Sequence, residues 1–274
     1  MKKGMLACLV LVGVLFASAL RADVLVLIHG YLSGAQSWDA SGITTVLEHA
    51  GWHRAGIYAA GSSGIQLIPT PGRPTRKKVY VVDLPSEAQV LIQAYQLRQI
   101  LQAINEANPG ESIVLVGHSA GGVVARAALV RSDAKDVKAL ITIASPHLGT
   151  YRAEQALDAT DIPFPFSMVT DFFGGETYDT AMRSRGLFVD LVRPHPGSLL
   201  FWLNNQKHPN IQYFSIVRGD TSVMSDDYIV PGYSQDMNNV PALSGRSTRI
   251  AVGTQHGLEM IDGSTIVNLL AGMK

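Results

Sequence analysis

The stretch that most constrains this chain is a short apolar run followed by a Gly-x-Ser-x-Gly pentapeptide. Residues 113–116 are apolar and mostly β-branched, and the pentapeptide Gly117–Gly121 follows them within the same segment. Small and apolar residues of helical character then occupy 123–130. A strand, a tight turn and a helix in this order form a nucleophile elbow, whose strained turn exposes a serine hydroxyl at the carboxyl edge of a sheet. The sequence therefore predicts that Ser119 is a nucleophile.

A serine that attacks a carbonyl also needs hydrogen-bond donors for the oxyanion that forms. The amide of Ala120 opens the helix after the serine, at the positive end of the helix dipole. The second donor is expected in the loop after the first strand, where His29 and Gly30 precede Tyr31. We predict the Tyr31 amide as this donor, with Leu32 as the alternative.

A serine hydroxyl is a weak nucleophile at neutral pH and needs a base, for which histidine is the usual choice. Of the eight histidines, His256 alone follows the last predicted strand and precedes the last predicted helix, as the chain order Ser, acid, His requires. Three aspartates lie in the polar stretch 218–227, directly after the penultimate predicted strand. We prefer Asp227 as the acid because residues 228–231 behind it, which end in a proline of fixed φ, can order the loop. Asp220 and Asp226 remain the alternatives.

Apolar runs of strand length alternate with helical patterns along most of the chain. The runs occupy 23–28, 79–82, 113–116, 137–144, 211–217 and 249–252. Ser86 and Gln89 form a capping-box pattern, which predicts the start of a helix that ends near Ala107. This alternation predicts an α/β fold with a mostly parallel sheet of about six strands and helices on both faces.

Two segments interrupt the alternation. Residues 53–78 are rich in Gly, Pro and Ser and are predicted to form an inserted loop. Residues 151–210 are predicted to form a partly helical cap or lid, whose aromatic residues favour an apolar acyl group or simply pack the cap. These aromatic residues are Phe164, Phe166, Phe172, Phe173, Phe188, Phe201 and Trp202.

The first 22 residues have the three parts of a secretory signal peptide. Two lysines precede an apolar run over 5–16, and a small-residue cleavage region follows over 17–22. We expect cleavage after Ala19 or Ala22 and one mature domain over 23–274, located in the periplasm or secreted. The apolar run is shorter than the ~20 residues that a membrane span needs.

Taken together, these segments resemble the α/β-hydrolase superfamily and, within it, secreted bacterial lipases and esterases. The matching segments are 26–30, 117–122, 142–150, 227–231 and 255–256. The resemblance implies hydrolysis of acyl esters through Ser119, Asp227 and His256 with an acyl-enzyme intermediate. A triacylglycerol lipase and a carboxylesterase both fit this pattern.

The expected reaction needs no cofactor. Several lipase families bind a structural calcium ion near the catalytic histidine. Asp220, Asp226 and Asp227 are available here, but no set of calcium ligands is assigned. Basic and acidic residues number 22 each, so no nucleic-acid partner is expected. The expected partner is a small-molecule or lipid ester. We also expect the protein to contact a lipid interface transiently and to be a monomer. Two alternatives are a thioesterase or acyltransferase with the same site, and a hydrolase-fold protein that binds without catalysis.

Overall fold

One sheet of eight strands runs through the part of the chain that the structure describes. This computed structural model describes residues 23–61, 64–72, 75–132, 135–161, 178–219, 227–253 and 255–273. The strands are β1 (Asp23–Ile28), β2 (His53–Gly61), β3 (Gly64–Pro69), β4 (Lys78–Asp83), β5 (Ser112–His118), β6 (Val137–Ile143), β7 (Gln212–Val217) and β8 (Ser247–Ala251). Their order is β3-β2-β4-β1-β5-β6-β7-β8, and only the β2–β3 pair is antiparallel. The mostly parallel α/β class is confirmed, and the prediction of about six strands is corrected to eight.

Helices cover both faces of this sheet. They are α1 (Ser37–Ala40), α2 (Ile43–His49), α3 (Val90–Ala107), α4 (Ala120–Val130), α5 (Tyr151–Asp161), α6 (Tyr178–Arg183), α7 (Arg185–Leu191), α8 (Leu199–Asn204), α9 (Gly232–Gln235) and α10 (Met260–Gly272). Helices α3, α4, α5, α7 and α8 share one core cluster with the sheet, while α1, α2 and α10 pack on the other face. None of the helices in the described ranges has both the length and the apolar character needed to cross a membrane.

The central strand β1 shows why its apolar run is continuous. Val24, Val26 and Ile28 belong to one core cluster, and Leu25 and Leu27 belong to the other. All five side chains are fully buried. A parallel strand covered on both faces has no solvent side, so it loses the polar alternation of a half-exposed strand.

The predicted inserted loop over 53–78 is wrong, because most of it forms the hairpin of β2 and β3 at the edge of the sheet. Glycines of this segment lie within the two strands and do not interrupt them. A Cβ atom on Gly56 would lie 2.6 Å from the carbonyl oxygen of Ile68, so only glycine permits this strand approach. Gly61 and Gly64 pair at the turn end of the hairpin.

The predicted capping box at Ser86 is also wrong. Helix α3 begins at Val90, and no side chain of its N-cap residue, Gln89, caps it. The Val90 N–H donates instead to Asp190 Oδ2 of α7, at 2.7 Å. Burial raises the pKa of the Asp190 carboxyl to about 6. A residue 100 positions away therefore fixes where this helix begins, and the local pattern did not contain that information.

The last helix, α10, begins at Met260, four residues after His256. Its start is a capping box in which Glu259 and Asp262 bond each other's backbone N–H groups. The last strand is shifted, to Ser247–Ala251. Four short helices, α5 to α8, occupy the described part of 151–210. Residues 162–177, with Phe164, Phe166, Phe172 and Phe173, lie outside the described residues.

Candidate active site

Ser119 stands between β5 and α4 in a backbone conformation that residues with a side chain rarely adopt. Its φ is 49° and its ψ is −128°. The turn is anchored by the Ser119 N–H, which donates to the Ile143 carbonyl at 2.8 Å. Close packing explains the flanking glycines, since a Cβ on Gly117 would lie 2.6 Å from Gly122 Cα and one on Gly121 would lie 2.3 Å from the His29 oxygen. The strand, the turn and the helix therefore press together and present Ser119 at the sheet edge.

The structure brings Ser119, His256 and Asp227 into one hydrogen-bonded series. His256 Nε2 lies 2.8 Å from Ser119 Oγ, and His256 Nδ1 lies 2.9 Å from Asp227 Oδ2. A carboxylate only accepts, so Nδ1 carries the proton and Nε2 is free to accept the serine hydroxyl proton. A base that accepts from a nucleophile and is itself oriented by an acid is the arrangement that activates a serine.

The three side chains come from far apart in the chain and meet because the strands are parallel. Ser119 follows β5, Asp227 lies in the segment after β7, and His256 follows β8. The carboxyl ends of parallel strands share one edge of the sheet, which is where sites of open α/β sheets form. Asp220 and Asp226, the alternatives for the acid, lie outside the described residues.

A buried ion pair holds the loop that carries His256. Arg218 and Asp262 are both fully buried and form two hydrogen bonds, each of 2.7 Å. The Arg218 guanidinium also donates to the carbonyl of Val252 at 2.9 Å and to that of Gly257 at 2.8 Å. The pair therefore ties the end of β7 to α10 and to both sides of His256. Sequence reasoning missed it, because residues 44 positions apart have no local pattern.

His118, inside the elbow, contacts the loop of the candidate base. Its Nε2–H donates to the His256 carbonyl at 2.9 Å, and the two ring centroids are 5.4 Å apart. Its Nδ1 is buried without a hydrogen-bond partner. Burial, with the nearby His256, lowers the pKa of His118 to about 3. His118 is therefore neutral at neutral pH and supports the backbone of His256, a role that the sequence analysis did not predict.

The predicted oxyanion donors, Tyr31 and Ala120, line the same cavity as Ser119. The Leu84 N–H donates to His29 Nε2 at 3.0 Å, so the ring proton is on His29 Nδ1, which donates to the Gly30 carbonyl at 3.0 Å. In a trans peptide the C=O and N–H point in opposite directions, so the Tyr31 N–H is directed away from His29. His29 thus fixes the orientation of the peptide that bears the Tyr31 amide.

A small apolar cavity opens beside the serine. Its volume is about 90 Å³. Its apolar wall consists of Tyr31, Ala120, Pro146, Ala153, Leu187, Phe188, Leu191, Ile229 and Val230. The ring of Phe188 is buried and lies edge-on to the ring of Tyr31, with centroids 5.4 Å apart. Of the predicted cap aromatics, Phe188 lines this cavity, whereas Phe201 is exposed on α8.

No group of three or more His, Cys, Asp or Glu side chains in the described ranges is arranged to hold a metal ion. Of the three aspartates considered for calcium, Asp227 is described, and its carboxylate accepts hydrogen bonds from Ile229 N, Val230 N and His256 Nδ1.

Comparisons with known proteins bear on the fold of this chain. Residues 81–165 match the model of a family described as a PGAP1-like alpha/beta domain. This chain has the α/β-hydrolase fold. No curated protein matches the sequence.

Solved structures share the α/β-hydrolase fold over nearly the whole chain at low sequence identity. The lin2722 gene product of Listeria innocua is 14% identical, with a TM-score of 0.60 over 92% of this chain and 95% of its own. The mature lipase BlEst2 of Bacillus licheniformis is 17% identical, with a TM-score of 0.55 over 92% and 91%. A lipase-esterase related protein of Clostridium acetobutylicum is 12% identical, with a TM-score of 0.57 over 93% and 96%.

Proposed function

We propose that this protein is a serine hydrolase that cleaves carboxylic esters of short acyl chains. The observation that carries the proposal is the series Asp227, His256, Ser119, which ends at an apolar cavity. The fold shared with structures named lipase and lipase-esterase related protein supports the same reaction class.

In the proposed reaction Ser119 Oγ attacks the ester carbonyl while its proton passes to His256 Nε2. Asp227 holds the other ring N–H and stabilises the imidazolium that forms. The amides of Tyr31 and Ala120 donate to the oxyanion of the tetrahedral intermediate. The alcohol leaves with the proton from His256, and a water molecule activated by the same histidine then hydrolyses the acyl-enzyme.

The size of the cavity supports a short acyl group. For comparison, an apolar cavity of about 150 Å³ accepts benzene. The 90 Å³ beside Ser119 therefore fits an acyl chain of about two to four carbons. A carboxylesterase is favoured over a triacylglycerol lipase on this ground.

The test measures kcat/KM on p-nitrophenyl esters from acetate to palmitate. We expect a maximum at acetate to butyrate and a loss of at least roughly 10³ in Ser119→Ala. Ser41→Ala is the matched control, because the Ser41 hydroxyl donates to the Trp38 carbonyl between α1 and α2. Activity of Ser119→Ala close to that of the control refutes the nucleophile. A faster rate on the matched acyl thioester would reassign the enzyme as a thioesterase.

We also propose that residues 1–22 direct export, on the basis of the basic, apolar and small-residue regions of that segment. Expression of the full chain in a Gram-negative host should give a protein outside the cytoplasm that begins at Leu20 or Asp23. Recovery of the intact N-terminus in the cytoplasmic fraction contradicts this.

A further inference from the structure

Gln235, at the end of α9, is a fully buried amide beside the candidate acid. Its Oε1 accepts the Arg218 backbone N–H at 2.8 Å. A peptide N–H only donates, so this bond fixes which end of the amide is oxygen. The Nε2 group therefore points the other way, where it lies 2.9 Å from Asp227 Oδ2 and 2.7 Å from the Val230 carbonyl.

The Asp227 carboxylate is held on both of its oxygens. Oδ1 accepts the N–H groups of Ile229 and Val230, at 2.9 and 3.0 Å. Oδ2 accepts Gln235 Nε2–H and His256 Nδ1–H, both at 2.9 Å. Gln235 thus shares with His256 the Asp227 oxygen on which the base depends.

We propose that Gln235 is a positioning residue of the hydrolase, which aims Asp227 Oδ2 at His256 and limits the negative charge that the imidazole experiences. This proposal rests on the proposed function. Hydrogen bonds to a carboxylate stabilise its ionised form, so Asp227 orients His256 without taking its proton. The fixed amide keeps both oxygens of Asp227 in place through the reaction, and preorganised partners of this kind need no rearrangement as charge develops.

Charged and titratable groups surround this unit on several sides in the described residues. Asp236 follows Gln235 and lies 4.0 Å from Arg249, and Arg152 donates to the Tyr228 carbonyl at 3.1 Å beside Asp227. The ring of His118 packs on His256, and the Arg218 guanidinium is neutralised by Asp262. Glu259 lies at the start of α10, close to Gly253 on the β8 side of the loop. A substitution at position 235 therefore acts mainly on the neighbouring Asp227 and, through it, on His256.

Two substitutions separate the electrostatic effect of Gln235 from its packing. Gln235→Glu keeps the acceptor for Arg218 but places a carboxyl oxygen against Asp227 Oδ2. Two buried carboxyl groups this close share one proton, so the new carboxyl group holds a proton and can donate it to Asp227 Oδ2 in place of the amide. We expect the acid limb of kcat/KM for p-nitrophenyl acetate to stay near that of the wild type in Gln235→Glu. In Gln235→Met it should move upward by about one pH unit, because Asp227 loses a donor and its charge acts more strongly on the imidazolium. Gln235→Met keeps the volume and removes the donor, and we expect kcat to fall about 10- to 100-fold with KM changed less than twofold.

The matched controls are Gln93→Glu and Gln93→Met. Gln93 is a buried glutamine of α3 whose Nε2 donates to the Ala88 carbonyl at 2.6 Å, outside the candidate triad. These variants should lose stability like the Gln235 variants but keep the wild-type pH profile. An unshifted acid limb in Gln235→Met, or equal kcat losses in the two methionine variants, overturns the positioning role.

A spectroscopic measurement distinguishes failure of this proposal from failure of the proposed function. The proton on His256 Nδ1 gives a downfield NMR resonance when it is shared with Asp227, whether or not the protein hydrolyses esters. We expect this resonance to move in Gln235→Met and to stay unchanged in Gln93→Met. An unmoved resonance rejects the role of Gln235. An active Ser119→Ala variant rejects the hydrolase and leaves the resonance test standing.

Discussion

Ser119 adopts its strained backbone because the elbow requires it, and the cost of this strain can be measured. With φ at 49° and ψ at −128°, a residue that bears a Cβ atom pays about 1–3 kcal/mol for this conformation. Ser119→Ala removes the hydroxyl and its bond to His256 but keeps the Cβ. Ser119→Gly removes the same hydroxyl together with the Cβ. The difference between the two variants therefore isolates the backbone strain.

The expected difference follows from two opposing terms. Relief of strain adds about 1–3 kcal/mol to the free energy of unfolding of Ser119→Gly. The greater freedom of glycine in the unfolded chain subtracts about 0.5–1 kcal/mol. We expect Ser119→Gly to be more stable than Ser119→Ala by the difference of these terms, about 0–2.5 kcal/mol with a middle value near 1 kcal/mol. Urea unfolding at 25 °C, followed by the fluorescence of the buried Trp38 and Trp52, measures this difference.

Ser41 provides a control of opposite sign. Its φ is −77° and its ψ is −10°, an ordinary helical conformation at the end of α1. There Ser41→Gly should be less stable than Ser41→Ala by about 0.5–1 kcal/mol. If glycine is no better than alanine at position 119, while position 41 behaves as expected, the elbow is not strained and the argument for its conformation is refuted.

Three further outcomes are expected. Asp227→Asn should lower kcat on p-nitrophenyl acetate by at least roughly 10², because an amide in place of the carboxylate favours the wrong tautomer of the histidine. Phe188→Leu should raise the ratio of kcat/KM for octanoate to that for acetate about tenfold, because it enlarges the acyl cavity. The free energy of unfolding should fall as the pH drops below about 6.5, by about 1.4 kcal/mol per pH unit for each of His118 and His208. Burial lowers the pKa of the first to about 3 and of the second to about 4, so the unfolded chain binds protons that the folded chain does not.

Two of these outcomes have a control variant. Phe214→Leu, on the opposite face of the sheet, should leave the octanoate-to-acetate ratio unchanged, and an equal rise in both variants contradicts the cavity argument. His208→Asn should flatten the pH dependence of unfolding measured in urea at pH 5 and 7. Asp190 reduces part of this loss of stability at low pH. Burial raises its pKa to about 6, so near pH 5 the folded chain holds a proton on Asp190 that the unfolded chain has lost.

The sequence predicted the parts of the molecule that short segments determine. The elbow around Ser119 needs a strand, a glycine-flanked turn and a helix that are adjacent in the chain. Continuous apolar runs predicted β1, β5 and β6 for the same reason, since burial on both faces leaves a local pattern. The sequence also indicated a histidine after the last strand, because chain order constrains it.

Contacts between distant segments account for what the sequence analysis missed. The start of α3 depends on Asp190, and the hairpin of β2 and β3 depends on close strand approach at Gly56. Gln235 and Arg218 carry no motif, because their roles arise only when β7, α9 and the loop after β8 fold together. Residues that support the catalytic side chains are hard to predict from sequence, because their positions depend on tertiary contacts and they follow no sequence periodicity.

Tyr31 has a consequence for protein engineering. Its hydroxyl donates to Ser184 Oγ at 3.0 Å and its ring packs on Phe188, so its side chain belongs to the helical segment 178–191. Its backbone belongs to the loop that His29 orients. A chimera that exchanges the helical segment alone would leave this side chain without its partners and disturb the loop. Residues 29–31 and 178–191 therefore form one transplantable unit, although about 150 positions separate them in the chain.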